Sequence, residues 1–307
     1  MEFDRNTYKN EGIRMDVLMA KQIYEEIYLH IELSNIDIFL CGGASDRTNI
    51  SKRDQLREQL EKNKKISIFY PEEMFMEFLN RKKYDLLTLE SFLADNSDLI
   101  LIVCESPGSF AELGAFVNNE RTLNKVVVLI QKKYRKAKSF IRQGPVQHVE
   151  LHNKENVIYF NDDMEELIRG VNQFIDKKYW FYRNKKYQEY APKTKDINLI
   201  SGQFYFILLL LYFDNKIDIK QMPTIVREIY FERNFRADSF EVLYTAALKR
   251  LHKEGMLLKS FENGENFYRL TEKGYFRAKT LLNDVNIAER DHTVNKIRMK
   301  ILQAQYC

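Results

Sequence analysis

The 307-residue sequence predicts an α/β protein: a parallel sheet covered by helices, followed by a smaller helical unit that ends in a hairpin. Three observations carry that reading. Short apolar runs recur along the first part of the chain and are continuous rather than alternating, the pattern of strands buried on both faces. Helical stretches lie between them, as parallel strands require of their crossovers. After residue 196 the alternation stops, and helix, helix, helix, hairpin follow in the order of a winged helix-turn-helix.

Residues 13 to 33 read as an amphipathic helix, with Ile13, Val17, Ala20, Ile23, Ile27 and Ile31 at helical spacing. The run "IDIFLCGG" is the first strand and ends in Gly42 and Gly43; "SKRDQLREQLEK" is the helix after it. "ISIFY" is the second strand and stops at Pro71. Helical "EEMFMEFLN" and "LTLESFLADN" lead to strand "DLILIVC" at 98–104. "KVVVLI" at 125–130 and "NVIYF" at 156–160 are two further strands, and a long helix runs from about Asp163 to Tyr190. The polar, proline-containing "YAPKTKD" at 190–196 marks a boundary. Beyond it, "FYFILLLLYF" at 204–213 is a buried helix and "PTIVREIYFE" places Pro223 at a helix start. "DSFEVLYTAALKRLHKEGML" is a helix begun by Asp238 or Ser239 and stopped at Gly255. "LLKSF" and "FYRL", joined by "ENGEN", form the hairpin, and "TEKGYFRAKTLL" is helical. The expected division is an α/β domain over 1–191, a winged helix over 197–283 and a helical tail over 284–307.

The totals exclude more than they assign. Lys+Arg 48 against Asp+Glu 44 leaves +4, too little to indicate a nucleic-acid binder without a local cluster. Cys41, Cys104 and Cys307 form no CxxC pair, which argues against a disulfide framework or a Cys-rich zinc site. No leader segment and no run of membrane-spanning length is read, so the expected location is cytoplasmic. His148 and His152 in "HVELH" stand four apart but lack an evident third ligand, and no metal is expected.

Two motifs sit where a parallel sheet holds ligands, at the carboxyl ends of strands. Gly42 and Gly43 make either a tight strand-to-helix turn or a backbone cradle for phosphate or ribose oxygens. "ESPGSFAELGAF" at 105–116 is the second: Pro107 and Gly108 turn the chain and Ser109 is placed to cap the next helix. Glu112, three residues after Ser109, is then either the far half of a Ser-x-x-Glu capping box or a carboxylate free for chemistry.

"FLCGG", "FYPEE" and "ESPGSFAELGAF", in this order, resemble the nucleoside deoxyribosyltransferase-like fold, a Rossmann-like α/β architecture. With a winged helix behind it, the chain resembles the effector proteins of type II-A retron defence systems. The resemblance covers most of the sequence and is strongest from Ile38 to Asn119. It implies an N-glycosidase with Glu112 as its catalytic carboxylate, attacking or stabilising an anomeric carbon. It also implies substrate contacts from Gly42, Gly43, Glu90, Ser106, Gly108 and Ser109. Glu90 stands where deoxyribosyltransferases carry a substrate-orienting Asp, and Ser106 stands where they carry another Asp, so their base-exchange chemistry is not implied.

Cleaving a C–N glycosidic bond develops positive charge at the anomeric carbon, which a carboxylate can stabilise or capture. Nicotinamide in NAD⁺ is already a cationic leaving group and requires no general acid, whereas a neutral base does, and no His lies in the motifs. NAD⁺ is therefore the expected substrate, with no cofactor. A nucleoside or nucleotide deoxyribosyltransferase or hydrolase, and a DNA-binding regulator with a nucleotide-sensing α/β domain, are the alternatives. The resemblance further implies a toxic effector controlled by a retron reverse transcriptase and its multicopy single-stranded DNA, acting as an oligomer and without a membrane. Nucleic-acid contact is expected from Lys249, Arg250 and Lys253 of the presumed recognition helix and from Lys259 and Arg269 of the wing. "KKYWFYRNKKYQEY" at 177–190 interleaves cations with aromatic rings, a pattern shared by single-strand binders and by amphipathic packing helices.

Overall fold

A computed structural model describes residues 15–32, 35–80, 84–183, 195–233, 235 and 237–306. The chain divides into two compact units, one of residues 34–192 and the other of residues 1–33 with 193–307. The first described helix, α1 (Val17–Glu26), belongs to the second of these.

The α/β unit runs β1 (Ile36–Cys41), α2 (Lys52–Leu60), β2 (Ile66–Phe69), α3 (Pro71–Asn80), α4 (Leu86–Asp95), β3 (Leu99–Val103), α5 (Pro107–Val117), α6 (Glu120–Leu123), β4 (Val126–Gln131), α7 (Gln147–His152), β5 (Val157–Phe160) and α8 (Met164–Arg183). The strands form one sheet in the order β2-β1-β3-β4-β5. Every neighbouring pair is parallel. Continuous burial along β1 and β3 explains their unbroken apolar sequences, because both faces are covered. On one face Ile38, Leu40, Leu101 and Leu129 pack with Leu56 and Leu60 of α2 and with Leu167 and Val171 of α8. On the other, Phe39 meets Phe116 of α5 edge-on at 5.6 Å. The chain steps from β1 outward to β2 and then back past β1 to β3. The order therefore reverses between β1 and β3, and the crevice beyond their carboxyl ends is where such sheets hold ligands.

Local chemistry sets the helix starts. Ser51 caps α2 by accepting from the Asp54 N–H, Asp85 caps α4 by accepting from Thr88, and Pro71 opens α3 at the position where its missing N–H is harmless. Ahead of α7 the backbone forms a π-helical turn over Arg142–Val146 with Pro145 inside it, a feature the sequence does not announce.

The second unit continues from α1 with α9 (Ile200–Phe213), β6 (Ile217–Asp218), α10 (Gln221–Glu232), α11 (Ala237–Lys253), β7 (Leu257–Glu262), β8 (Glu265–Leu270), α12 (Glu272–Asn283) and α13 (Arg290–Tyr306). Helix α9 is buried on nearly every side, as its uniformly apolar sequence requires. Gly255, at φ +65°, ends α11, and Asn263 and Gly264 at φ +51° and +85° make the two-residue turn between β7 and β8. Of the described residues, no helix is long and apolar enough to cross a membrane.

Three expectations change. Residues 17–31 do not open the α/β unit: Tyr24 and Tyr28 stack at 5.3 Å and both meet Phe206 of α9 edge-on at 5.4 Å. The Tyr28 hydroxyl donates to the carbonyls of Lys195 at 2.6 Å and Gly202 at 2.9 Å. An apolar helix face demands a cover, and this one finds it in the later part of the chain. Residues 284–307 are likewise no separate tail, since Val294, Ile297 and Ile301 of α13 are buried in the same unit. Helix α10 begins at Gln221, so Pro223 lies inside its first turn rather than at its first position. Ile13 and residues 184–190 of the aromatic–basic run lie outside the described residues.

Tyr28→Phe removes one buried donor from two carbonyls, and the expected loss of stability is about 1–2 kcal/mol, measured by urea unfolding of the full chain. An unchanged midpoint would contradict the assignment of α1 to the second unit.

Candidate active site

The crevice at the β1/β3 reversal is built from the two loops that leave those strands. Gly42, directly after β1, has φ +157°, and a Cβ there would lie 2.8 Å from the Cβ of Arg53. The absence of a side chain lets α2 approach the strand end and bring Arg53 into the site. Arg53 is 8% exposed. It pairs with Glu72 at 3.1 Å and Asp54 at 3.3 Å, and its guanidinium lies 4.2 Å from the centre of the Tyr70 ring. Arg57 covers the same ring at 4.4 Å and pairs with Glu73 at 2.6 Å, while the Tyr70 hydroxyl donates to Asp54 at 2.8 Å. The segment "FYPEE" thus supplies the ring between two arginines and the two carboxylates that balance them.

Gly43 does not present a free amide. Its N–H donates to Glu105 at 3.1 Å, and the N–H groups of Lys52 and Arg53, at the start of α2, donate to the same carboxylate at 3.1 Å each. The backbone cradle expected to receive a phosphate already holds an anion from the β3 loop.

The second loop decides the role of Glu112. Ser106, not Ser109, is the N-cap of α5: its hydroxyl accepts from the Ser109 N–H at 3.2 Å. The Ser109 hydroxyl accepts in return from the N–H groups of Ser106 at 3.1 Å and Glu105 at 3.2 Å, and donates to the Ser106 carbonyl at 2.8 Å. The capping box is closed by two serines. Ser109 is fully buried in it, so its hydroxyl is committed to the turn rather than available to a ligand. Gly108 is exposed, and a Cβ there would meet Ser106 Oγ at an ordinary 3.9 Å, so this glycine is not demanded by space.

Glu112 therefore stands in the second turn of α5 with no capping duty. Its Oε2 is buried and has no hydrogen-bond partner among the described residues. Burial, then the charge of Glu90, push its carboxyl up to about 7; Arg53 opposes this, Glu72 adds to it, and a hydrogen bond from the Cys41 thiol opposes it. Glu90, on α4, is itself raised by burial and then by Glu72. Both nearby thiols are held neutral: Cys41 is raised well above its ordinary value and Cys104 to about 12, each by burial first and by Glu112 second. Of the sequence-derived candidates, the fold brings Glu112 and Glu90 together beside the β1 turn. Arg53, Glu72 and Glu105 were not singled out in the sequence. Arg53 and Glu72 look like ordinary charges on helices, and Glu105 reveals itself only through amides far away in the chain.

In the second unit, Arg250 is not a surface cation. It is 8% exposed, donates to Ser201 Oγ at 2.8 Å, pairs with Glu254 at 2.7 Å and covers the Phe204 ring at 4.3 Å, a structural role imposed by its place on the inner side of α11. Arg269 pairs with Glu262 at 2.5 Å. Lys253 and Lys259 are exposed and Lys249 is half-buried.

Residues 49–259 match the family model described as STM3845 retron effector protein. The chain belongs to the retron effector family. Two Escherichia coli relatives agree. The effector is 29% identical over 276 residues to a retron Ec86 protein whose name proposes a ribosyltransferase/DNA-binding protein, covering 87% of this chain and 84% of the relative. It is 24% identical over 212 residues to the retron Ec73 protein of the same description, covering 63% and 66%. The span matched by the family model includes Arg53, Glu105 and Glu112.

A carboxyl titrating near 7 in the folded chain and near 4.5 when unfolded binds more protons folded, so its contribution falls as pH rises from about 4.5 through 7. Glu112→Gln removes that penalty. The expected result is a variant more stable than wild type by about 2 kcal/mol at pH 8, with the difference nearly gone at pH 4, measured by chemical unfolding at both pH values. A variant less stable at pH 8 would mean that Glu112 holds the fold together.

Proposed function

We propose that the effector is an N-glycosidase that hydrolyses the nicotinamide–ribose bond of NAD⁺, with Glu112 as its catalytic carboxylate. The observation that carries this reading is the buried, unpartnered Oε2 of Glu112 at the strand-order reversal, on a helix already capped by other residues. The relatives' names, which propose ribosyl transfer, support chemistry at an anomeric carbon.

In the proposed reaction the C–N bond breaks with its electron pair passing to the pyridinium nitrogen, which becomes neutral. Positive charge develops on the anomeric carbon, and the ionised Glu112 either stabilises it or adds to it. Water then supplies the hydroxyl of ADP-ribose and its proton leaves to solvent. No acid is required for the leaving group. The cationic ring also lowers the free energy of the ionised Glu112 when substrate is bound, so a carboxyl poised near 7 is charged when it is needed. Glu90, with Gly42 and Gly43 after β1 and Ser106 and Gly108 at the start of α5, is proposed to line the ribosyl and phosphate part of the substrate. A phosphate that takes the amides of Gly43, Lys52 and Arg53 must first displace Glu105.

The second unit is proposed to be a winged helix, with α11 and the β7–β8 hairpin as recognition helix and wing. Lys249, Lys253, Lys259 and Arg269 are its candidate contacts to nucleic acid or nucleoprotein. In this reading the effector is the toxic component of an anti-phage retron, acts in the cytoplasm as an oligomer, and is held in check by the retron reverse transcriptase and its multicopy single-stranded DNA.

The test is nicotinamide release from NAD⁺ by the chain alone and assembled with the reverse transcriptase–DNA partner, beside Glu112→Gln in both forms. Wild-type release reduced on the order of a thousandfold or more in the variant is expected; equal rates would end the reading. The kcat/KM profile should fall below about pH 7 as Glu112 protonates, and Glu90→Gln should move that limb to lower pH by removing a neighbouring negative charge. An acid limb unmoved in Glu90→Gln would remove Glu90 from the site.

A further inference from the structure

We infer that single-stranded DNA docks on the α/β unit itself, across the segment between β4 and the end of α7. The sequence there, "KKYRKAKSFIR" at 132–142, carries six cations in eleven residues and no acid. Two of these are internally committed, Lys132 to Glu166 at 2.5 Å and Arg142 to Glu150 at 2.8 Å. Lys136, Lys138 and, further on, Lys154 are exposed and have no ion pair among the described residues. With Arg135 and Arg142 they line a concave surface of about 590 Å³ in which five cations face one carboxylate, Glu150, itself neutralised by Arg142 and bonded to the Tyr159 hydroxyl. A cluster of unpaired cations around a hollow repels itself and is relieved by a polyanion.

An apolar hollow of about 570 Å³ adjoins it, sharing Gln143, Gln147 and Leu151. Phe140, 83% exposed, Leu151, 79% exposed, and Pro145 on the π-helical turn line it. A large ring presented to solvent beside unpaired cations is the arrangement that binds an unstacked base together with its phosphates. A duplex turns its base faces inward and offers nothing to Phe140, which selects the single strand. The apolar hollow also touches Gly114 and Val117 of α5 and Asn118, which follows it. The proposed recognition helix and wing offer a poorer phosphate surface, because Arg250 of α11 is buried and Arg269 of β8 is paired.

The choice of DNA rests on the nucleic-acid part of the function proposed above. The hydrolase part is not needed, since the readout is binding. The experiment is fluorescence anisotropy of a labelled twenty-nucleotide oligo-dT with the full chain, at about 50 and 200 mM salt. The triple variant Lys136→Ala/Lys138→Ala/Lys154→Ala should bind at least tenfold more weakly at the lower salt. Its log–log salt slope should be smaller by about 2, as three lost phosphate contacts require. Phe140→Ala should lose about tenfold with the salt slope kept, the signature of stacking. All four side chains are exposed, so thermal midpoints near wild type are expected and check folding. Unchanged affinity in the triple variant, equal affinity for the corresponding duplex, or loss confined to Lys249→Ala/Lys253→Ala/Lys259→Ala would each overturn the proposal. Failure of nicotinamide release would leave these binding results unaffected.

Discussion

The reciprocal hydrogen bonds between Ser106 and Ser109 close the first turn of α5 and settle what the residues around it can do. A helix start needs acceptors for its free N–H groups, and a glutamate three residues after a serine is a common way to provide them. Here the serine before the proline does the capping and the serine after the glycine returns the bond. Glu112 is thereby released into the crevice, one turn further along. Its burial then follows from the close packing of α5 against β3 and β4, and its raised pKa from that burial. A single shift of the cap by three residues separates a capping carboxylate from one free of that duty.

The surroundings of Glu112 balance opposing demands. Glu90 and Glu72 raise the energy of its charged form, while Arg53 and the Cys41 thiol lower it. Arg53 can do this because Gly42 has no side chain, and it is held there by Glu72, Asp54 and the Tyr70 ring. The result is a carboxyl balanced between its two states near neutral pH, at a cost to folding that a purely structural residue would not incur. Glu105 completes the crevice by tying Gly43, after β1, and the start of α2 to the loop after β3 through three backbone amides.

Much of this architecture was legible in the sequence, for identifiable reasons. The strands announced themselves because both faces of the sheet are covered, leaving continuous apolar runs, and Asn263-Gly264 and Gly255 marked their turns because few other residues accept positive φ. What was not legible were facts of partnership at a distance. The amphipathic face of α1 says that it is buried but not by what, so its place beside α9 and α13 could not be read from its own residues. Arg250 looks like any cation on a helix until Phe204 and Ser201 are seen beneath it. Glu112 was legible as a candidate, while its freedom from the cap was not, because "SPGS" offers two serines and only geometry chooses between them.

The most direct measurement is a pH titration of the Glu112 carboxyl carbon by NMR in selectively labelled protein, assigned by comparison with Glu112→Gln. A midpoint near 7, moving downward in Glu90→Gln, is the result predicted for an uncommitted carboxylate in a desolvated crevice. A midpoint near the ordinary glutamate value of about 4.3 would contradict the account, because it would place Glu112 in water or in a hydrogen-bonded cap and leave the crevice without the carboxyl proposed for its chemistry.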